Sequence, residues 1–172
     1  MKYPLPFDRQ AVLTVALALA LAPLGCRKAA APPVLSIMQM GDPQAQAQLV
    51  SGFYPVEAGS WRWTKQQFSV LLGPPPGAAQ KGAWLRLRVT VPDSLIAKVG
   101  TITLSASVNG QTFPSETYSA AGTYTYEREA PASLLTGRSA KVDFVLDKVM
   151  PPEGRELREL GIVALSAGLE PK

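Results

Sequence analysis

Trp84-Leu85-Arg86-Leu87-Arg88-Val89-Thr90-Val91 decides the fold. Its residues alternate between apolar and polar. A strand turns successive side chains to opposite faces, so Leu85, Leu87, Val89 and Val91 face a core while Arg86, Arg88 and Thr90 face water. Working outward, Thr101-Ile-Thr-Leu-Ser-Ala-Ser-Val108 repeats the pattern. It ends in Asn109-Gly110, a pair that tolerates the positive φ a tight hairpin needs. Gln111 to Tyr118 returns, with Pro114 marking an edge position or a bulge. Gly122 to Arg128 and Ala140 to Asp147 follow, the latter with Val142, Phe144 and Leu146 inward. Gly161 to Leu169 is apolar enough for a largely buried closing strand. On the N-terminal side lie Trp61-Arg-Trp-Thr64 and Phe68-Ser-Val-Leu-Leu72. The breaks are turn chemistry: Gly73-Pro-Pro-Pro-Gly77, Pro92-Asp93 and Met150-Pro-Pro-Glu-Gly154. Ser94–Val99 and Ala130–Leu135 each read as a helical turn. About eight or nine short strands without a long helix predict an all-β fold, a jelly-roll-like β-sandwich over residues 47–172, with a closed barrel as the rival.

Composition removes several chemistries. The 172 residues contain no histidine and one cysteine, Cys26. The commonest general base and the commonest zinc ligand are therefore missing. The formal net charge of +4 is spread along the chain, with no basic run longer than Arg27-Lys28, so no nucleic-acid partner is expected. Glu153, Glu156 and Glu159 have arginines interleaved and form no Asp-rich calcium loop, so no metal site is expected. Neither a cofactor nor a catalytic residue is read from this sequence.

The N-terminus carries a different signal. Lys2 and Arg9 precede an Ala/Val/Leu run from Ala11 to Ala22. Its length suits the apolar region of a signal peptide and is short of the ~20 residues that span a bilayer. Pro23 breaks the run, and Leu24-Gly25-Cys26 follows. The string Leu-Ala-Pro-Leu-Gly-Cys resembles the lipobox of bacterial lipoproteins, with Pro23 and Leu24 departing from the usual leucine and small residue. The resemblance implies removal of residues 1–25 and acylation of Cys26 with fatty chains such as palmitate, leaving a lipid anchor in the membrane. Arg27, where an aspartate would favour the inner membrane, implies a cell-envelope location with the outer membrane favoured. Residues 26–46, rich in Ala, Pro and Gln, read as a linker, because consecutive prolines extend a chain and withhold donors. Within it, Val34-Leu-Ser-Ile-Met38 reads as a stray strand or a piece packed on the domain.

Three stretches resemble a β-sandwich module attached to some bacterial glycosyltransferases and envelope proteins. They are Gly52-Phe-Tyr-Pro-Val-Glu-Ala-Gly-Ser-Trp-Arg-Trp-Thr64, then Leu85-Arg-Leu-Arg-Val89 with Val108-Asn-Gly110, and Arg155-Glu-Leu-Arg-Glu-Leu-Gly161. The resemblance implies a galactose-binding-like jelly roll working near cell-surface carbohydrate.

Candidate ligand-binding residues are Tyr54, Glu57, Trp61, Arg62, Trp63 and Arg158. Sugar sites combine flat rings for stacking with carboxylates or guanidinium groups for hydroxyls. On a strand Trp61 and Trp63 share one face and Arg62 takes the other. The competing reading has one tryptophan capping the core and the other at its rim. Arg158 and Glu159 are expected to clasp Glu57 or Arg62, pinning the opening segment to the closing one. Tyr118, Tyr124 and Tyr126 read as cross-strand packing. The leading expectation is a non-catalytic, membrane-anchored module that recognises envelope polysaccharide. The alternatives are an assembly accessory that binds another envelope protein and a glycan hydrolase built on Glu57 with Asp143 or Asp147.

Overall fold

The computed structural model describes Met1 and residues 33–172. The leader and Cys26 lie outside the described residues. Among the described residues nine strands occur, all paired antiparallel: β1 (Ile37–Gln39), β2 (Leu49–Phe53), β3 (Arg62–Leu72), β4 (Ala83–Val91), β5 (Ile102–Val108), β6 (Gln111–Tyr118), β7 (Gly122–Ala130), β8 (Ala140–Leu146) and β9 (Val163–Pro171). Two short helices join them, α1 (Ala78–Lys81) and α2 (Asp93–Val99).

The strands form two layers. One runs β2-β3-β8-β5-β6 and the other β1-β9-β4-β7. Strand β3 belongs to both. Arg62 and Trp63 pair with Ala164 and Val163 of β9, whereas Gln67 to Leu72 pair with β8. The two strands expected at Trp61–Thr64 and Phe68–Leu72 are thus one continuous strand that changes sheets. The terminal strands β6 and β7 of the path are not paired with each other, so the fold is a jelly-roll-like sandwich rather than a closed barrel.

The alternating residues fill the space between the layers. Leu85, Leu87, Val89, Val142, Phe144 and Leu146 are all fully buried. Phe68 of β3 stacks on Phe144 of β8 at 5.0 Å between ring centroids. Asn109 (φ 48°) and Gly110 (φ 87°) make the expected tight turn between β5 and β6. Tyr126 and Tyr118 are buried, Tyr118 lying 4.7 Å from the ring of Tyr124, which is the packing role expected of them.

In the described part of the linker, the apolar stretch expected as a stray strand or a packed piece does form a strand. Ile37–Gln39 is strand β1, in register with Gly168, Ala167 and Ser166 of β9. A 3-10 turn follows at Pro43–Gln48, capped by the Asp42 carboxylate on the Gln44 amide. Met38, Met40 and Ala45 are buried in the core. The folded unit therefore begins well before Gln46. The physical reason is the apolar Val34–Met40 stretch, which completes a sheet edge despite its proline-rich surroundings.

Candidate functional site

Two hairpin loops meet at one end of the sandwich. The first joins β2 to β3 and closes at Glu57 and Trp61, where Ala58 (φ 48°) and Gly59 (φ 66°) turn the chain. The second joins β8 to β9 and is a small ladder of its own, Met150 pairing with Leu160 and Glu153 with Glu156.

Arg158 ties the loops together. Its Nη1 donates to Glu57 Oε1 at 2.8 Å, while Nε and Nη2 grip the two oxygens of Glu156 at 2.9 and 2.8 Å. The guanidinium also lies 5.1 Å from the Tyr54 ring centroid. A planar fork meeting a carboxylate edge-on is the geometry arginine favours. Hydrogen bonds from the Arg158 side chain, then from its backbone N–H, hold the Glu156 carboxyl down to about 2, and the same carboxylates raise Arg158. Burial is the main cause pushing the Tyr54 hydroxyl up, with Glu159 adding to it. The expected clasp between opening and closing segments is present, and Glu57 is its acceptor. Glu159 instead receives the Gln66 amide.

Trp61 and Trp63 share a face, their rings edge-to-face at 6.2 Å between centroids. Both are partly buried and neither belongs to the hydrophobic core. The reading that one of them caps the core is corrected. Strand β3 turns Arg62 inward, where the core lies, and so leaves the tryptophans on the outer face.

Trp63 forms one wall of a groove of about 450 Å³. Met150, Pro151 and Leu160 of the β8–β9 loop face it, and Ser94 and Lys98 of α2 close one side. The charged rim is self-paired: Lys98 Nζ reaches Glu153 at 2.6 Å, and Arg158 holds Glu156. Of the lining residues, Ser94, Lys98, Met150, Pro151 and Leu160 were not read from the sequence as site residues. They come from distant segments and share no local pattern.

Arg62 has a different setting. It is 6 % exposed, with Nε donating to Met40 O at 2.9 Å and Nη1 to Tyr54 O at 3.2 Å. Burial lowers its pKa. It lines a separate cavity of about 440 Å³ beside β2. The structure thus joins Tyr54, Glu57 and Arg158 in one cluster, sets Trp63 in the groove next to it, and sends Arg62 to the opposite side. The hydrolase candidates are held apart in separate partnerships: Glu57 by Arg158, Asp143 by Ser69 and Lys141, and Asp147 by the Thr103 amide. None of the three lines either cavity.

No protein-family model and no curated protein matches the chain. Solved structures do. An acetyl xylan esterase from the rumen bacterium Butyrivibrio proteoclasticus is similar at 6 % identity and a TM-score of 0.44, over 80 % of this chain and 32 % of that one. A structure described as "CBM4 structure and function" is similar at 11 % identity and a TM-score of 0.40, over 79 % of this chain and 85 % of that one. The CBM51-2 and INT-domain structure from Clostridium perfringens ZmpB, solved with GlcNAc, is similar at 12 % identity and a TM-score of 0.35, over 78 % of this chain and 28 % of that one.

Proposed function

We propose that this chain is a lipid-anchored, non-catalytic glycan-binding protein of the cell envelope, tethered through Cys26 to the outer membrane and binding sugar in the groove beside Trp63. The observation that carries the binding half is the groove itself. An indole wall facing Met150, Pro151 and Leu160 offers apolar surface to both faces of a pyranose ring. Its rim charges are already paired, so they address hydroxyls as fixed dipoles and favour an uncharged sugar.

The groove and the first described strand lie toward opposite ends of β9. The described chain comes in beside the C-terminal half of β9, where Leu169 N donates to Ser36 O. Trp63 pairs with Val163 at the other end of β9. Between those ends β4 runs from Ala83, opposite Pro171, to Thr90, opposite Val163, a span of about 23 Å at ~3.3 Å per residue.

Residues 27–172, produced without the leader, test the binding half on a glycan array. Binding to a neutral glycan, reduced at least tenfold in Trp63→Ala with the domain still folded, supports the reading. Retention of full affinity by Trp63→Ala removes the groove as the site. The anchor is tested separately by fatty-acid labelling in cells: Cys26→Ser should abolish both label and membrane association, and persistence of both would defeat it.

A further inference from the structure

Resting on the glycan reading of the Trp63 groove, we propose that the groove takes the terminal residue of a sugar chain and not an internal stretch, because it is shut at one end. Three observations carry this.

The first is where α2 is tied down. Ser94 and Lys98 stand four residues apart, so they share the helix face that lines the groove. At the Lys98 end, Nζ lies 2.6 Å from Glu153 Oε2 on the facing wall. An exposed ion pair is a weak bar by itself. A second tie backs it from the base of the same loop. Lys148, two residues past the end of β8, donates to Val99 O at 3.3 Å and to Thr101 O at 2.5 Å. A lysine at a helix C-terminus meets carbonyls that have no partner within the helix. The β8–β9 loop thus meets the C-terminal end of α2 at two points, and no sugar chain passes between them. The other end of the helix differs. Ser94 is exposed, and among the described residues no side-chain hydrogen bond ties it or Asp93 to that loop.

The second is the stiffness of the loop wall. Met150 and Leu160 exchange both backbone hydrogen bonds, at 2.8 and 2.9 Å, and Glu153 and Glu156 do the same at 2.9 and 3.1 Å. Between these rungs Pro151 and Pro152 fix two φ angles. Arg158 then pins the wall to Glu57. A wall held at so many points does not swing aside to let a chain run through.

The third is size. At about 450 Å³ the groove lies toward the small end of the ~300–1,000 Å³ typical of ligand sites. An internal segment needs an exit at each end, whereas a chain end needs one mouth. The terminal ring lies between Trp63 and the Met150, Pro151 and Leu160 wall, and the rest of the chain leaves past Ser94.

The test titrates the full chain in detergent, by calorimetry, with cello-, laminari- and manno-oligosaccharides of two to six residues. The expected result is a Kd per mole of sugar chain that stays within twofold from trisaccharide to hexasaccharide. Lys98→Ala combined with Lys148→Ala cuts both ties, and should make the hexasaccharide bind at least fivefold tighter than the trisaccharide. Ser94→Trp fills the open side, and should weaken every length at least tenfold. Circular dichroism checks that both variants remain folded. A natural chain whose affinity climbs fivefold or more from trisaccharide to hexasaccharide takes internal segments, which overturns this inference and leaves the glycan reading standing. Undiminished binding by Ser94→Trp, or a double variant still indifferent to length, overturns it equally. Silence toward all three sugar series defeats the glycan reading and this inference together.

Discussion

Arg62 and Trp63, consecutive on β3, look out on opposite surroundings. Trp63 faces a groove whose rim ions are all answered within the chain, Lys98 by Glu153 and Arg158 by Glu57 and Glu156. Arg62 faces a cavity where, among the described residues, carbonyl oxygens and no carboxylate meet it. Exposed pairs like those on the outer side contribute only ~0.2–1 kcal/mol each, so their work is to set loop positions. The inner side is held by burial and by bonds to buried carbonyls, where each loss costs more. The outer side can therefore change its ligand contacts at little cost to the fold, while the inner side cannot.

The hardest test of the inner side is a chain begun at Ala47 compared with one begun at Pro33. The shorter chain loses β1, two methionines at most 1 % exposed, and the Met40 carbonyl that receives Arg62 Nε. Truncating one buried methionine costs about 2–5 kcal/mol, against about 5–15 kcal/mol for a whole domain. The expected outcome is cooperative melting from Pro33 and none from Ala47, read by circular dichroism. A cooperatively folded Ala47 chain would show that the inner side stands without its first strand.

Two substitutions on β3 sharpen the contrast. Phe68→Ala removes a fully buried ring stacked on Phe144 and should cost about 3–5 kcal/mol. Trp63→Ala removes a partly buried ring outside the core and should cost about 1–2 kcal/mol, a fall in Tm of about 2–8 °C. Denaturant titration separates the two. Equal losses would mean that the outer wall is structural after all.

Much of the sandwich was legible because a strand writes its burial in alternation. Trp84–Val91 became β4 with its four apolar residues inward. Asn109-Gly110 became the hairpin, since few other pairs accept two positive φ angles. The clasp was legible too, as the arginine of the closing segment and the glutamate of the opening one. Strand β3 was not. Lys65-Gln66-Gln67 reads as a polar gap, but a strand passing from one sheet to another can carry solvent-facing residues at the crossing without breaking. Strand β1 was half legible, as the apolar Val34–Met38 stretch, but its three residues and the prolines on both sides left packing without pairing equally open. The groove left no local trace, because Trp63, Lys98 and Met150 meet only through topology. Alternation placed Arg62 opposite the tryptophans, but it does not say which side holds the core.

The smallest effect expected concerns the clasp. Glu156 has an ordinary value of 4.5 and is held down to about 2 by Arg158 in the folded chain. A depressed carboxyl binds fewer protons folded than unfolded, so its contribution to stability is fully present above pH 4.5 and fades as pH falls toward 2. The group is exposed, so solvent screens the effect and the shift in Tm should be small. Glu156→Gln removes the charge while keeping the shape. The Tm difference between the natural chain and this variant should be constant from pH 7 to 5 and close toward pH 2. Glu57→Gln, carried through the same series, separates the second carboxylate on Arg158 from the first. A difference that persists undiminished at pH 2 would mean that the charge on Glu156 does not hold the Arg158 guanidinium in place for its bond to Glu57.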